Sequence, residues 1–150
     1  MIVVVQRVSS ASITIEGEVT ASIKIGVVVL VGIEEADGKE DVEWLASKVV
    51  NLRIFNDENR VMNLSLREIG GEVMIVSQFT LHASTKKGNR PSYLKSAKHG
   101  HAIPIYEAFI DEVSKLVGVK VKTGSFGADM KVSLINDGPV TIIIDTKNKV

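Results

Sequence analysis

The chain has 150 residues, of which 45% are hydrophobic, and this length and composition predict one domain, residues 1–150, with a genuine hydrophobic core. Its 18 lysines and arginines balance 18 aspartates and glutamates, and a zero net charge argues against a nonspecific nucleic-acid coat and against DNA as a partner. The absence of cysteine excludes disulfides, thiolate metal ligands and thiol nucleophiles.

The first part of the chain predicts several strands before any helix. Residues 2–5 with Val8 form an apolar strand that Gln6 and Arg7 interrupt, and residues 27–33 form a strand buried on both faces. Residues 12–15 and 19–25 alternate apolar with polar side chains around a hairpin turn at residues 16–18. This order favours a mixed, largely antiparallel sheet and argues against a doubly wound fold.

Two main helices are predicted among the remaining elements. The first covers residues 37–51, with Asp37 as its cap and Glu40 as the return partner. The second has Pro104 in its first turn and ends at Gly118. Residues 53–55 and 73–76 are predicted to be strands, and residues 63–68 an irregular stretch or a single turn. Residues 119–122, which include Lys120, are predicted to form an edge-like strand. The last two predicted strands are residues 131–135 and 140–145.

The strand at residues 73–76 ends in a polar group of residues that indicates a functional site. It is followed by Ser77, Gln78, Phe79 and Thr80, so that two hydroxyls, an amide and an aromatic ring leave the core at one point. A loop with basic side chains comes next, and a phosphate-bearing ligand is one interpretation of it; the other is a solvated surface. Its basic residues are Lys86, Lys87 and Arg90.

The segment Asn136-Asp137-Gly138-Pro139 joins the last two predicted strands. Asn-Asp-Gly between apolar strands is a hairpin signal, and a plain turn is the simplest interpretation. A proline after glycine is unusual there, because it removes a ladder donor and restricts the residue before it. A Gly138-Pro139 bond can be cis, which would let the turn present fixed carbonyl groups to a ligand.

No familiar cofactor or metal motif is present, so we predict neither a metal nor a cofactor. The three histidines show no paired ligand spacing, and His99 with His101 is weak support for a metal site. Nucleophilic catalysis by the Thr80 hydroxyl, with His82 as its base, stays an open alternative. Lacking a secretory signal or an apolar run of bilayer length, the chain is expected in the cytoplasm, with no membrane partner.

Taken together, these motifs resemble those of the D-aminoacyl-tRNA deacylase family. The resemblance covers essentially the whole chain and includes both family signatures, residues 77–81 (SQFTL) and residues 136–141 (NDGPVT). Further matching segments are residues 6–12, 51–55, 62–66, 87–88, 90–92 and 126–130. Departures are mild: His82 replaces a usual tyrosine, Tyr93 a usual phenylalanine, and residues 98–101 are atypical.

The resemblance implies an α/β fold with a barrel-like core, active as a homodimer with its sites at the subunit interface. It implies an aminoacyl-tRNA substrate, from which the enzyme hydrolyses a D-amino acid or mischarged glycine. Gly138 and Pro139 would enter the partner subunit's pocket and exclude L side chains. The residues that would then act in catalysis are Ser77, Gln78, Phe79 and Thr80.

Further roles follow from the same resemblance. Phe126 and Met130 would line the adenosine pocket with Phe79, and Arg7 would brace the cross-subunit turn. Lys86, Lys87 and Arg90 would hold acceptor-stem phosphates. Backbone N–H groups around Phe79 and Thr80 are favoured as the oxyanion site, assisted by the ribose 2′-hydroxyl of the tRNA. The alternatives are a non-catalytic module that binds RNA ends or nucleotides, and an esterase that uses Thr80 with His82.

Overall fold

One mixed sheet of six strands curls nearly into a barrel, and two longer helices pack on one of its faces. The structure is a computed structural model and describes residues 1–119 and 121–150. In chain order the elements are β1 (Ile2–Ile15), β2 (Glu18–Ile23), β3 (Gly26–Gly32), α1 (Lys39–Asn51), β4 (Phe55–Asn56), β5 (Met62–Leu64), α2 (Leu66–Ile69), β6 (Glu72–Ser77), a 3₁₀ helix (Phe79–His82), α3 (His99–Val117), β7 (Lys122–Thr123) and β8 (Lys131–Asp145).

The main sheet has the strand order β2-β1-β3-β6-β7, and β8 pairs with β1 outside this path. The neighbours β3, β6 and β7 run parallel, whereas β1 is antiparallel to β2, β3 and β8. The predicted fold class, an α/β arrangement of mixed, largely antiparallel strands with a barrel-like core and two main helices, is confirmed. In the described part of the chain no helix is long and apolar enough to cross a membrane.

The central strands β3 and β6 are buried on both faces, which explains their unbroken apolar sequences. Val29 and Ile75 face one cluster, shared with α1 and α3. Val28 and Met74 face a second cluster beneath the curled ends of β1, β2 and β8. Because β3 and β6 are parallel, their carboxyl ends lie at the same edge of the sheet. This register places Ser77 opposite Val31.

Strand β1 is continuous where the sequence predicts an interruption. Gln6 and Arg7 pair with Val28 and Val27 of β3, so the ladder passes through both polar residues. The prediction of separate strands at 2–5 and 12–15 is therefore wrong. A polar side chain does not stop a strand whose backbone stays paired with a neighbouring strand, because the ladder bonds involve main-chain groups.

The predicted hairpin at residues 136–139 is also wrong, because both predicted strands belong to β8. On one side of the interruption Thr141 pairs with Gln6, and on the other Asn136 pairs with Val8. Residues 137–140 lie between these pairs, opposite Arg7, and form a bulge in a continuous strand. We call residues 137–140 the β8 bulge.

Helix α1 begins two residues later than predicted, and Asp37 is not its cap. The Asp37 carboxylate instead accepts hydrogen bonds from the α-amine of Met1 at 2.5 Å and from a backbone N–H at 2.8 Å. Gly38 occupies the cap position, and its N–H donates to the Asp41 carboxylate at 3.0 Å. The return partner is thus Asp41, and the prediction of Glu40 is wrong. Local capping signals did not reveal that a buried amine attracts Asp37.

Helix α3 begins at His99, so Pro104 lies inside the helix and not in its first turn. The Lys98 carbonyl accepts from the N–H groups of residues 101 and 102, at 3.0 and 2.8 Å, and the first turn is complete before the proline. Pro104 has no N–H to donate to the carbonyl four residues earlier, and that residue is Gly100.

The shorter elements agree with the sequence in part. The turn at residues 16–18 is confirmed, with Glu16 and Gly17 both at positive φ, 50° and 80°. The strand predicted at 53–55 is reduced to β4, which pairs with β5. The segment predicted as an irregular stretch or a single turn contains the four-residue α2, in agreement with a single turn. Its cap is Ser65, which accepts from the N–H of Glu68. Of the strand predicted at 119–122 only its end belongs to β7, and Lys120 lies outside the described residues.

Candidate active site

A pocket of about 450 Å³ opens at the edge of the sheet where β3 and β6 end. Its wall combines apolar residues of both strands with polar residues of the 77–79 segment and residues of the loop that precedes β8. The residues that carry polar side chains in this lining are Ser77, Gln78, Ser96, His99 and Asp129. Ligands commonly bind outside the carboxyl ends of parallel strands, and this pocket has that location.

The polar segment after β6 is held by hydrogen bonds to its neighbours. The Gln78 N–H donates to the Val31 carbonyl at 2.7 Å, which extends the β3–β6 pairing by one residue. The Gln78 side-chain amide donates to the Thr80 hydroxyl at 2.5 Å. The Ser96 hydroxyl donates to the Phe79 carbonyl at 2.8 Å and ties the segment to the opposite wall.

The start of the 3₁₀ helix, next to the pocket-lining residue Phe79, leaves two backbone N–H groups without an intrahelical acceptor. The first bond of the 3₁₀ helix runs from the N–H of Leu81 to the carbonyl of Gln78, at 3.2 Å. The N–H groups of Phe79 and Thr80 precede that bond and have no acceptor within the helix. Two adjacent free N–H groups can bind an oxygen that carries negative charge.

The Thr80 hydroxyl has no base among its neighbours in the described residues. Its hydrogen bond is with Gln78, which cannot accept a proton for catalysis. His82 is buried, with 6% of its surface exposed, and its Nε2 has no hydrogen-bond partner in the described part of the chain. The His82 ring packs at the end of β3, where a Cβ on Gly32 would lie 3.0 Å from its Cδ2. This arrangement does not form a hydroxyl–imidazole pair.

Phe126 lines the pocket and is packed between two other ring side chains. Phe126 meets His99 and Tyr106 edge to face, and both centroid distances are 5.5 Å. The Tyr106 hydroxyl donates to the Ile75 carbonyl at 3.0 Å, and burial raises the pKa of Tyr106 to about 12. Tyr106 is therefore neutral near pH 7 and supports Phe126 as a packing residue.

The β8 bulge is held by Arg7, a charged residue that is 7% exposed. The Arg7 guanidinium donates from Nε to the Asp137 carbonyl at 3.1 Å and from Nη1 to the Ile54 carbonyl at 2.7 Å. The bond between Gly138 and Pro139 is cis, and both residues are exposed. Neither lines the pocket of its own chain.

The predicted phosphate-binding residues lie on an exposed loop near the pocket. Backbone bonds between Ser84 and Ser92, at 2.8 and 2.9 Å, close this loop at its base. Lys86, Lys87 and Arg90 are all exposed, and within the described residues no carboxylate forms an ion pair with them. Three adjacent cations without counterions can hold phosphate groups.

The structure brings some of the predicted site residues together and leaves others apart. The predicted residues that line the pocket are Ser77, Gln78, Phe79, Phe126 and Met130. Those outside its lining are Arg7, Thr80, Lys86, Lys87, Arg90, Gly138 and Pro139. Sequence reasoning assigned no role to three polar lining residues, Ser96, His99 and Asp129, although Asp129 lies in the matching segment 126–130. The atypical segment 98–101 was a signal for His99, whereas nothing in the sequence distinguished Ser96.

No group of three or more histidine, aspartate or glutamate side chains in residues 1–119 and 121–150 has an arrangement that could hold a metal ion.

Comparison with known sequences yields a consistent set of relatives. A sequence profile described as D-Tyr-tRNA(Tyr) deacylase matches residues 4–145. A Bacteroides thetaiotaomicron protein named D-aminoacyl-tRNA deacylase is 62% identical over 149 residues, 99% of each chain. A Parabacteroides distasonis protein of the same name is 64% identical over 146 residues, 97% of each chain.

Two solved structures have a fold similar to that of this chain. The c-Myc DNA Unwinding Element Binding Protein superposes with a TM-score of 0.91 at 38% identity, covering 97% of this chain and 99% of that one. A probable eukaryotic D-amino acid tRNA deacylase superposes with a TM-score of 0.81 at 17% identity, covering 95% and 97%, which shows a similar fold.

Proposed function

This chain belongs to the D-aminoacyl-tRNA deacylase family and is a hydrolase of that class, and we propose that it removes D-amino acids and mischarged glycine from tRNA while sparing L-aminoacyl-tRNA. The bond to be cleaved is the ester between the amino acid and the terminal adenosine. The observation that supports this most strongly is the pocket at the ends of β3 and β6, lined by the first family signature.

We propose that the backbone, not a side-chain nucleophile, stabilises the transition state. When water attacks the ester carbonyl, the carbonyl oxygen becomes an oxyanion. The N–H groups of Phe79 and Thr80, free at the start of the 3₁₀ helix, are suited to bind it. Gln78 donates to the Thr80 hydroxyl and keeps it away from a nucleophilic role. Ser77 and Gln78 then position the substrate.

The water molecule requires activation that the described side chains near Thr80 do not offer. We propose that the vicinal 2′-hydroxyl of the terminal ribose orients the water and relays its proton to the departing 3′-oxygen. The carbon–oxygen ester bond breaks, releasing the free amino acid and a tRNA with both ribose hydroxyls. A required 2′-hydroxyl favours RNA over DNA as the polymer. Activity on aminoacyl-tRNA also accords with a cytoplasmic location.

Stereochemical selection is proposed to depend on the β8 bulge of a partner subunit in a homodimer. Gly138 and Pro139 are exposed and lie outside the pocket of their own chain. Arg7 fixes the bulge through the Asp137 carbonyl, so the bulge projects as a rigid unit. Rigid carbonyl groups beside the substrate α-carbon would exclude an L side chain while admitting a D side chain or glycine.

Phe126 and Met130 are proposed to hold the adenosine, with Phe79 on the other side of the pocket. Lys86, Lys87 and Arg90 would hold the phosphates of the acceptor end. Replacing Lys86 and Arg90 together by alanine should raise KM for tRNA and reduce the salt dependence of binding, because fewer counterions are released. A double variant with the salt dependence of the wild type would place the RNA on another face.

The decisive experiment compares D-tyrosyl-tRNA with L-tyrosyl-tRNA as substrates of the purified protein. We expect rapid release of tyrosine from the D-substrate and little release from the L-substrate. Binding of both substrates without hydrolysis of either would favour a non-catalytic module for RNA ends. Equal hydrolysis of both would preserve the esterase assignment but refute the selection mechanism.

A second substrate pair tests the role of the RNA in catalysis. D-Tyrosyl-tRNA ending in 2′-deoxyadenosine, acylated at the 3′-hydroxyl, should bind normally and be hydrolysed slowly. Removing a group that takes part in proton transfer typically costs about 10²- to 10⁴-fold in rate. Near-normal hydrolysis would show that the ribose hydroxyl is a bystander, leaving the family assignment intact.

A further inference from the structure

Tyr93 lies beside the pocket and has no role in the chemistry described above. It packs edge to face against Phe79, with the ring centroids 5.0 Å apart and the ring planes at 71°. Phe79 is 56% exposed and Tyr93 is 38% exposed, so both rings are partly accessible to a ligand. In an edge-to-face pair, the ring that presents its edge keeps both of its faces open. The pair therefore offers an aromatic surface to a ligand.

Hydrogen bonds hold these two rings together from beneath. The Ser96 N–H donates to the Tyr93 carbonyl at 3.0 Å, and the Ser96 hydroxyl donates to the Phe79 carbonyl at 2.8 Å. One serine thus links the backbones of both aromatic residues. Phe79 also lines the pocket, whereas Tyr93 does not, so the pair extends the pocket wall outward. We call Phe79 and Tyr93 the aromatic pair.

The chain segment that carries the aromatic pair contains cations and no carboxylates. Carboxylates of other segments lie nearby, since Glu34 forms a β-bridge with Ser96, Glu35 accepts from the Lys98 N–H at 2.8 Å, and Asp129 lines the pocket with Phe79. No aspartate or glutamate occurs between Val73 and Tyr106, a stretch that includes the aromatic pair and the basic loop. The cations of this stretch, all exposed, are Lys86, Lys87, Arg90, Lys95 and Lys98. Exposed aromatic faces beside a cationic surface are the arrangement that binds single-stranded nucleic acid, because bases stack on the rings and phosphates meet the cations.

We propose that the aromatic pair stacks the base of the nucleotide that precedes the terminal adenosine in the single-stranded 3′ end of the substrate. This inference rests on the proposed function, which places the terminal adenosine in the pocket. The next nucleotide then leaves the pocket past Phe79 and reaches Tyr93. Tyr93 is a substrate-binding residue in this account and takes no part in bond cleavage.

The test uses D-tyrosyl esters of adenosine, of a CCA trinucleotide and of full tRNA. Tyr93→Ala should raise KM about tenfold for the trinucleotide and for tRNA, which is the usual effect of losing one stacked base. For the adenosine ester it should leave kcat and KM unchanged. Tyr93→Phe keeps the ring and should behave as the wild type. Leu94→Ala is the matched control, because Leu94 is 95% exposed but has no ring.

Three results would overturn the proposal. The first is an unchanged KM of Tyr93→Ala for all three substrates, and the second is an equal rise that includes the adenosine ester. The third is a loss of dimer in sedimentation that accounts for the change in KM, which would assign the aromatic pair to a subunit interface.

Failure of the proposed function itself has a separate readout. If the wild type hydrolyses none of the esters, calorimetric titration with unacylated adenosine and CCA still compares wild type with Tyr93→Ala. Weaker binding of CCA alone, with adenosine unaffected, would support the stacking role. Equal CCA binding by both proteins would refute it.

Discussion

Two interruptions of regular strand structure carry the proposed chemistry, and they are built in opposite ways. After β6 the chain turns into a 3₁₀ helix whose position is fixed by backbone and side-chain bonds from several elements, including those to Val31 and from Ser96. The β8 bulge instead interrupts a strand that continues on both sides, and Arg7 holds it from the neighbouring strand. Residues of the first region line the pocket, whereas none of residues 137–140 does.

The difference indicates what each region contributes. A segment held at many points can present backbone N–H groups whose positions do not depend on one side chain. The bulge is held by fewer contacts, from the Arg7 guanidinium and from the Asn136 side chain, which accepts from the Val140 N–H at 3.3 Å, so its geometry depends on individual side chains. Substitutions should therefore be costly at the support of the bulge and mild at the hydroxyl after β6. The predictions below test that contrast, beginning with the largest expected effect.

Arg7→Ala should have the largest effect, because it removes the support of the β8 bulge. The Ile54 carbonyl loses its donor and a buried volume is left empty, so we expect a loss of about 2–4 kcal/mol in the free energy of unfolding. Urea unfolding measures this loss. At temperatures where the variant remains folded, the ratio of D- to L-tyrosyl-tRNA hydrolysis should fall.

Arg7→Lys is the matched control, since it retains the charge but not the forked geometry of the guanidinium. We expect it to recover part of the stability and little of the selectivity. An Arg7→Ala protein with unchanged stability and an unchanged ratio of D to L hydrolysis would show that the bulge is held by other contacts.

Gly138→Ala should have the next largest effect, because its added methyl group has no room. A Cβ at this position would lie 2.6 Å from Nη2 of Arg7, and the backbone φ of +119° is one that L residues rarely adopt. We expect a loss of about 1–3 kcal/mol in stability and a lower ratio of D to L hydrolysis.

Gly17→Ala separates backbone strain from the clash at the bulge. Gly17 also has a positive φ, +80°, but nothing lies within 4 Å of an added Cβ. The Gly17→Ala substitution should lower the free energy of unfolding by about 1 kcal/mol and leave the ratio of D to L hydrolysis unchanged. If both glycine variants kept the wild-type ratio of D to L hydrolysis, the bulge would have no part in selection.

Thr80→Ala should have a smaller effect on activity, since the hydroxyl accepts from Gln78 and has no base beside it. We expect kcat/KM for D-tyrosyl-tRNA to fall by less than about tenfold, whereas loss of a true nucleophile costs on the order of 10⁶ in kcat. A fall of the larger size, in a protein that remains folded and dimeric, would favour the alternative hypothesis of an esterase that uses Thr80 with His82.

Asp41→Asn tests a site remote from both regions and should have the smallest effect. Burial alone would raise the pKa of Asp41, but hydrogen bonds from Lys147, Thr146 and the Gly38 N–H outweigh it and lower the pKa to about 2. Because this is below the ordinary value of 3.8, the ionised carboxylate stabilises the fold above about pH 4. That contribution is lost as the pH falls from about 4 to about 2.

For Asp41→Asn we therefore expect a loss of about 1 kcal/mol in stability at pH 7, after allowance for solvent screening. The variant should also show a shallower decline in stability between pH 4 and pH 2. Denaturant unfolding at several pH values measures both, and deacylation at pH 7 should be unchanged. An unaltered acid profile would mean that Asp41 does not contribute through its charge.

The sequence by itself determined the parts of this protein that depend on local pattern and on recurrent motifs. The apolar runs at residues 27–31 and 73–76 predict strands buried on both faces, and the structure places them at the centre of the sheet. In the first helix Val42, Leu45 and Val49 recur at helical spacing, and all three are buried. The polar group after β6 could be identified because a buried strand rarely ends in such a set of side chains.

Tertiary structure alone decided which partner each segment meets. Asn136-Asp137-Gly138 has the sequence of a hairpin turn, yet both flanking segments pair with β1, and many ladder bonds outweigh one local turn preference. Asp37 has the sequence of a helix cap, yet its carboxylate binds the α-amine of Met1 in the core. Such contacts join residues far apart in the chain, so their energies are not encoded in any local pattern.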